Sequence, residues 1–309
     1  MHYSSGLVRV EEQQMAKKIC LLLHRKSANE PYVKEAVKAV QSEGIKLRVL
    51  VPWNKTEKPK VVREALERGA ERIIAGGGDG TINAVATALI GDGSEKPRTS
   101  LGVLPLGTAN DFARGCGLPT DDLAECLRIA CTREARLMDV GKVNGRYFVN
   151  VASAGFGAEI TATTPIELKK KLGGTAYSLV GLAKVFNLTP YTGRLLIPGE
   201  DPLSGEMLFM AVGNNHYAGG GFDVAPEAKV DDGLLDLAAI RHPKSFTLTQ
   251  LSKELEDPMN PENEFLYYRQ LPEFTIEADK KLHCNLDGEP VLKKKLAFSV
   301  LPRHLSVAY

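Results

Sequence analysis

Apolar and polar positions change rhythm once along this chain, near residue 134. Before that point, strand-like runs alternate with segments of helical spacing. Ile19 to His24 reads as a buried strand, and Tyr32 to Glu43 places Val33, Ala36, Val37 and Val40 on one helical face before Gly44 stops it. Lys46 to Val51 is strand-like, Val61 to Arg68 is helical and ends at Gly69, and Arg72 to Ala75 leads through a glycine loop into a helix over Ile82 to Leu89. Leu101 to Leu104 makes a fourth short strand, closed by Pro105. This alternation predicts a parallel sheet covered on both faces, with ligands at the carboxyl ends of its strands. The loops 76 to 81 and 105 to 111 both fall at such ends.

After the change the chain becomes strand-rich. Leu137 to Val143 and Tyr147 to Val151 flank Asn144-Gly145, the strongest short signal for a hairpin. Further strand runs are read at 193 to 197, 207 to 212, 234 to 240, 273 to 277 and 296 to 301, with helical stretches near 168 to 186 and 246 to 255. The expected organisation is therefore an α/β domain with a parallel sheet over residues 17–133, followed by a mainly antiparallel β-rich domain over 134–309. Residues 1–16 are polar and patternless ahead of Met15, and read as a disordered extension or a misassigned start.

Composition narrows the class. The chain has 309 residues, 43% hydrophobic and 25% charged, values of an ordinary globular enzyme with one large domain or two smaller ones. A net charge of +1 argues against a nucleic-acid-coating protein. Cys20, Cys116, Cys126, Cys131 and Cys284 form no C-x-x-C pair, so neither a disulfide framework nor a zinc site is indicated, and reduced thiols in a cytoplasm are expected. No apolar run reaches the roughly 18 residues needed to cross a bilayer, and Ile19 to Leu23 is too short for a signal-peptide core.

Gly76-Gly77-Gly78-Asp79-Gly80-Thr81, between a strand and a helix, has the features of a phosphate seat. Glycines let main-chain N–H groups approach an anion, and the positive end of the following helix adds to the attraction. Asp79 fits beside a polyphosphate if it helps hold a cation or orients a neighbouring donor. A tight turn capped by Asp79 is the plainer reading of the same residues. In Leu104-Pro105-Leu106-Gly107-Thr108-Ala109-Asn110-Asp111-Phe112, Gly107 permits close approach and Thr108 offers a hydroxyl. Asn110 and Asp111 open a helix over 112 to 115, although alone this is also what a capped helix looks like. The acidic stretch Lys229 to Asp236 suits a hard cation or a solvated turn, and Asp287-Gly288-Glu289-Pro290 suits a carboxylate pushed into a cleft or an ordinary hairpin turn. Gly213 to Phe222 suits either a flexible cleft wall on which His216 and Tyr217 touch substrate or a plain surface loop. Lys169-Lys170-Lys171 opens an amphipathic helix that either packs on its own domain or touches anionic headgroups.

Together GGGDGT, LPLGTANDF, VDDGLLDL (230 to 237) and NLDGEP (285 to 290), in this order and spacing, resemble the bacterial YegS-type lipid kinases of the diacylglycerol kinase catalytic-domain family. The resemblance spans roughly residues 17 to 302, although GGDGT alone is shared with NAD kinases and phosphofructokinases. It implies an NAD kinase/diacylglycerol kinase-like nucleotide domain followed by a β-sandwich that holds substrate and metal, with ATP and substrate between them. It implies an ATP-dependent lipid kinase that moves the γ-phosphate to a hydroxyl of a glycerolipid, such as diacylglycerol or phosphatidylglycerol, or of a related lipid. By similarity, Gly76, Gly77, Gly78, Asp79, Gly80, Thr81, Ile82 and Thr108 bind the nucleotide and Asp287 accepts the proton. Asn110, Asp111 and Glu289 support them. A structural Mg²⁺, with Ca²⁺ the alternative, would take Asp232 and the carbonyls of Lys229 and Leu234, apart from the Mg²⁺ that travels with ATP. The implied setting is the cytoplasm at the inner membrane face, with a lipid substrate, no nucleic-acid partner, no transmembrane segment and an open oligomeric state. One departure stands out: relatives place a nucleotide-contacting threonine near the end of the second strand, where this chain has Val51-Pro52-Trp53. An NAD kinase-like small-molecule kinase and a non-catalytic nucleotide or lipid sensor are the competing readings.

Overall fold

The computed structural model describes residues 18–155, 190–242, 250 and 253–309. Its first part runs β1 (Ile19–Leu23), α1 (Arg25–Asn29), α2 (Pro31–Ser42), β2 (Leu47–Leu50), α3 (Lys58–Glu67), β3 (Arg72–Gly77), α4 (Asp79–Ile90), β4 (Ser100–Pro105), α5 (Asp111–Gly115) and α6 (Leu123–Thr132). β1 pairs in parallel with β2 and β3, and β3 in parallel with β4. Every residue of β1, β3 and β4 is buried, as expected of strands covered on both faces. β2 is the edge strand and carries exposed Val49. A groove of about 970 Å³ follows that edge past Gln41, Val49, Val61 and Arg68, and no residue of the loops 76–81 or 105–111 lines it. The helices begin where local chemistry starts them. Pro31 occupies the first turn of α2, and the Asp122 carboxylate accepts the Glu125 N–H at 2.9 Å to cap α6.

The second part contains β5 (Arg136–Val143), β6 (Arg146–Phe148), β7 (Val151–Ala154), β8 (Tyr191–Leu196), β9 (Leu203–Gly213), β10 (Tyr217–Ala218), β11 (Phe222–Asp223), β12 (Leu235–Arg241), β13 (Leu266–Leu271), β14 (Glu273–Leu286) and β15 (Glu289–Ala308). Its pairings are antiparallel, among them β5 with β6, β7 with β9 and β14, and β14 with β15. Only the last residues of β15 differ: Val307 and Ala308 pair in parallel with Leu101 and Gly102 of β4. Thirteen of the fifteen described strands thus form one continuous sheet network, and the end of the chain ties the strand-rich part to the parallel strands. Packing repeats the connection, since Met138, Val140, Leu305 and Val307 join the core built on β1, β3 and β4.

Several boundaries differ from the sequence reading. α1, α6 and β13 are additional elements. The hairpin's second strand stops at Phe148 rather than Val151, because the next main-chain N–H groups turn to a distant carboxylate. The stretch 168–186, including Lys169 to Lys171, lies outside the described residues, and 246–255 lies largely outside them. Among the described residues, no helix is long and apolar enough to cross a membrane.

Candidate active site

The glycine motif is tighter than a loop. β3 continues through Gly77 because Gly76 and Gly77 stay in register with Leu104 and Pro105, and α4 begins at Asp79. Only Gly78 lies between them, in extended backbone with φ −85° and ψ −177°. Gly78 carbonyl oxygen accepts from the N–H groups of Thr81 at 2.8 Å and Ile82 at 3.2 Å. Helix geometry leaves the N–H groups of Asp79 and Gly80 with no intrahelical acceptor, and they stand at the positive end of α4. The second loop closes against this point. A Cβ added at Gly107 would come within 2.5 Å of Gly78 Cα, so a side chain there would force the two loops apart. Leu106 N–H also donates to Gly77 carbonyl oxygen at 3.0 Å.

Side chains then lock the loops together. The Asp79 carboxylate accepts from the Phe112 N–H at 3.0 Å and the Asp111 N–H at 3.4 Å, capping α5 from another segment. Asn110 adopts the left-handed conformation, with φ 53°, and its Oδ1 accepts the Gly107 N–H at 2.8 Å. The buried Asp111 carboxylate accepts from Gly220 and Gly221 N–H groups at 2.7 and 2.5 Å, so a loop of the strand-rich part is fastened to the second motif. The Gly213 to Phe222 stretch is therefore partly anchored, and Asn150 Nδ2 holds the Tyr217 carbonyl at 2.8 Å. Thr108 is exposed, while Ile82 is buried in the core behind the motif.

Asp287 sits at the tip of the β14–β15 hairpin in left-handed backbone, φ 49°, followed by Gly288 at φ 96°. Its side chain is turned inward and only 5% exposed. Oδ2 accepts from Val149 N–H at 2.7 Å, Oδ1 from Val151 N–H at 2.9 Å, and both lie 3.2 Å from Asn150 N. Burial pushes the carboxyl up to about 7; the three main-chain donors oppose that rise, and the nearby Asp79 charge adds to it. The turn packs on the phosphate motif, since a Cβ built on Gly288 would lie 3.9 Å from both Gly80 Cα and N. A carboxyl titrating near neutrality thus stands beside the first turn of α4. Glu289, next along the hairpin, is exposed.

The 229–234 turn lies elsewhere. Asp232 Oδ1 accepts the Leu234 N–H at 3.0 Å, and Lys229 and Asp232 are exposed. Beneath them, buried Asp139 accepts from Gly233 N–H at 2.6 Å and Arg303 N–H at 2.5 Å, and its own N–H donates to the Val230 carbonyl at 2.6 Å. Burial pushes the Asp139 carboxyl up. Among the described residues, no group of three or more His, Cys, Asp or Glu side chains gathers to hold a metal. An ion here would rest on one carboxylate and main-chain carbonyls, an all-oxygen set that suits a hard cation.

Sequence reasoning passed over several of these groups. The N–H groups of 149 to 151 carry no side-chain signature, and Asp139 looked like one polar residue in a strand. Lys58, which the sequence reading left outside the helix it began at Val61, is buried, with its Nζ 3.0 Å from Thr81 Oγ1.

Residues 18–143 match the family model described as the diacylglycerol kinase catalytic domain, and residues 150–309 match that of the YegS C-terminal NAD kinase beta sandwich-like domain. A Chromohalobacter salexigens protein named "Probable lipid kinase YegS-like" is 45% identical over 292 residues, covering 93% of this chain and 92% of its own. A protein of the same name from Pseudomonas aeruginosa is 42% identical over 290 residues, covering 94% and 93%. Among solved structures, a diacylglycerol kinase from Bacillus anthracis has a similar fold, with a TM-score of 0.72 at 20% identity over 95% of this chain and 97% of that one.

Proposed function

The chain belongs to the YegS-type lipid kinases of the diacylglycerol kinase catalytic-domain family, and from that premise we propose how its site transfers a phosphoryl group. It is a lipid kinase with a C-terminal β-sandwich domain, and its division falls near 133/134. The Asp79 and Gly80 N–H groups receive the phosphates of MgATP, with Thr108 on the facing loop completing the nucleotide site. The lipid hydroxyl oxygen attacks the γ-phosphorus, the bond to the β–γ bridging oxygen breaks, and ADP leaves. The hydroxyl proton passes to Asp287, whose carboxyl, raised to about 7, is matched to neutral pH.

The observation that carries this reading is the packing of the Asp287–Gly288 turn on Gly80. It puts the candidate base and the candidate phosphate cradle side by side. The acceptor is a glycerolipid met at the inner membrane surface, as the family implies. Asp232 with the Lys229 and Leu234 carbonyls would hold a structural Mg²⁺ or Ca²⁺, which would fix the turn before β12.

Incubation with γ-labelled ATP, Mg²⁺ and a panel of lipid hydroxyls, including diacylglycerol and phosphatidylglycerol, tests the function. Label is expected in a chloroform-extractable product. Label in NADP instead would favour the NAD kinase-like reading, and ATP binding without transfer to any lipid would favour a sensor.

A further inference from the structure

Resting on the nucleotide reading above, we propose that Trp53 is the platform on which the base of the nucleotide stacks while its phosphates sit on the glycine motif. Trp53 is the only tryptophan of the chain and is 79% exposed, more than any other large apolar side chain among the described residues. It follows the carboxyl end of β2, as Arg25 follows that of β1. In the parallel register Leu22 pairs with both Leu50 and Ala75, so the carboxyl ends of β2, β1 and β3 stand level, and Gly76 to Gly78 come directly after Ala75. β2 and β3 flank β1, which separates their ends by about 10 Å. A nucleotide lying across the end of β1 thus meets the Asp79 and Gly80 N–H groups at one side and the indole at the other.

Local chemistry fixes the indole in that place. The buried Pro52 restricts the backbone just before it. Trp53 N–H donates to Glu57 Oε2 at 3.0 Å, and Asn54 Oδ1 accepts from the Thr56 and Glu57 N–H groups at 3.0 and 3.2 Å, which closes residues 53–57 into a tight turn. The Arg25 guanidinium reaches the ring, with Cζ 5.6 Å from its centroid, and joins the connections that leave β1 and β2. A flat aromatic ring that stays in water while its main chain is held offers a base a stacking surface at little cost in ordering. Stacking needs neither donor nor acceptor, which suits a turn entered through a residue without an N–H. The exposed side chains around the ring, Arg25, Asn54 and Thr56, are charged or polar, which favours the polar-edged ring of a nucleobase over acyl chains. Further along the same connection, Lys58 Nζ donates to Thr81 Oγ1 at 3.0 Å and ties the turn to the phosphate motif.

Because Trp53 is the sole tryptophan, its fluorescence reads the contact directly. ATP and ADP should quench it saturably, whereas inorganic tripolyphosphate should displace ATP without quenching. Calorimetric titration of wild type, Trp53→Ala and Trp53→Phe gives the energetics, and the exposure of the side chain means that both variants should keep the wild-type unfolding midpoint. ATP and ADP should bind about tenfold or more weakly to Trp53→Ala and within about threefold of wild type to Trp53→Phe, while tripolyphosphate binds all three within about twofold. The KM for ATP should rise in Trp53→Ala with kcat largely retained. Wild-type affinity for ATP in Trp53→Ala would overturn the proposal, as would an equal loss for tripolyphosphate, which marks a displaced loop. A blue shift of the emission on phosphatidylglycerol vesicles with no response to saturating ATP would assign the indole to a membrane instead. Wild type that binds neither ATP nor ADP in the calorimeter would overturn the nucleotide reading itself, a result distinct from wild type binding ATP while Trp53→Ala matches it.

Discussion

Acidification should silence this enzyme through Asp287 while relieving a strain on its fold. With the carboxyl titrating at about 7, a base that must be ionised loses about tenfold in kcat/KM for each pH unit below that value. Stability runs the other way. The folded-state value lies above the ordinary 3.8, so the stability this group contributes is present below 3.8 and is lost as pH rises through about 7. Between pH 5 and 8 that loss amounts to about 3 kcal/mol, from about two pH units of slope at 1.36 kcal/mol each. The assay is kcat/KM with γ-labelled ATP across that range, together with denaturant unfolding of wild type and Asp287→Asn. The variant carries a constant offset from its altered hydrogen bonds, while the titration of Asp236, raised to about 6 by burial, cancels in the comparison. Wild type should therefore lose stability relative to the variant as pH rises. ATP binding followed over the same range separates ionisation of the nucleotide. A flat kcat/KM between pH 5 and 8, or a wild-type minus variant stability independent of pH, would refute the reasoning.

Two further substitutions probe the joint between the loops. Gly107→Ala places a methyl against the main-chain Cα of Gly78 and should cost about 1–3 kcal/mol in denaturant unfolding while raising the KM for ATP; wild-type values for both would show that the close approach is unimportant. Asp111→Ala leaves the Gly220 and Gly221 N–H groups without their carboxylate and should cost about 1–3 kcal/mol. Hydrogen exchange at those two amides should accelerate, and unchanged protection would contradict the anchoring role.

Much of the architecture was legible because its signals are local. Alternating strand and helix patterns placed the two glycine-bearing motifs at strand ends, whereas the close approach of Gly107 to Gly78 shows only in the structure. What escaped is set by distant partners. The strand after Asn144-Gly145 stops at Phe148 because a carboxylate 136 to 138 positions away takes the N–H groups of 149 to 151. Asp111 reads as a helix start, yet its carboxylate is spent on a loop about 110 residues later. β14 and β15 are 14 and 20 residues long, much longer than their apolar runs, since they include the exposed lysines of 280–281 and 293–295, where the pairing of the two strands shifts register. Lys58 was hidden for the same reason, because nothing local distinguishes a buried lysine from a solvated one.

Single-turnover transfer of labelled γ-phosphate to lipid by Asp287→Asn bears most directly on the pairing of cradle and base. A fall of about a hundredfold or more, with the dissociation constant for ATP within about twofold of wild type, is predicted. Transfer at the wild-type rate by a folded, ATP-binding variant would contradict the account.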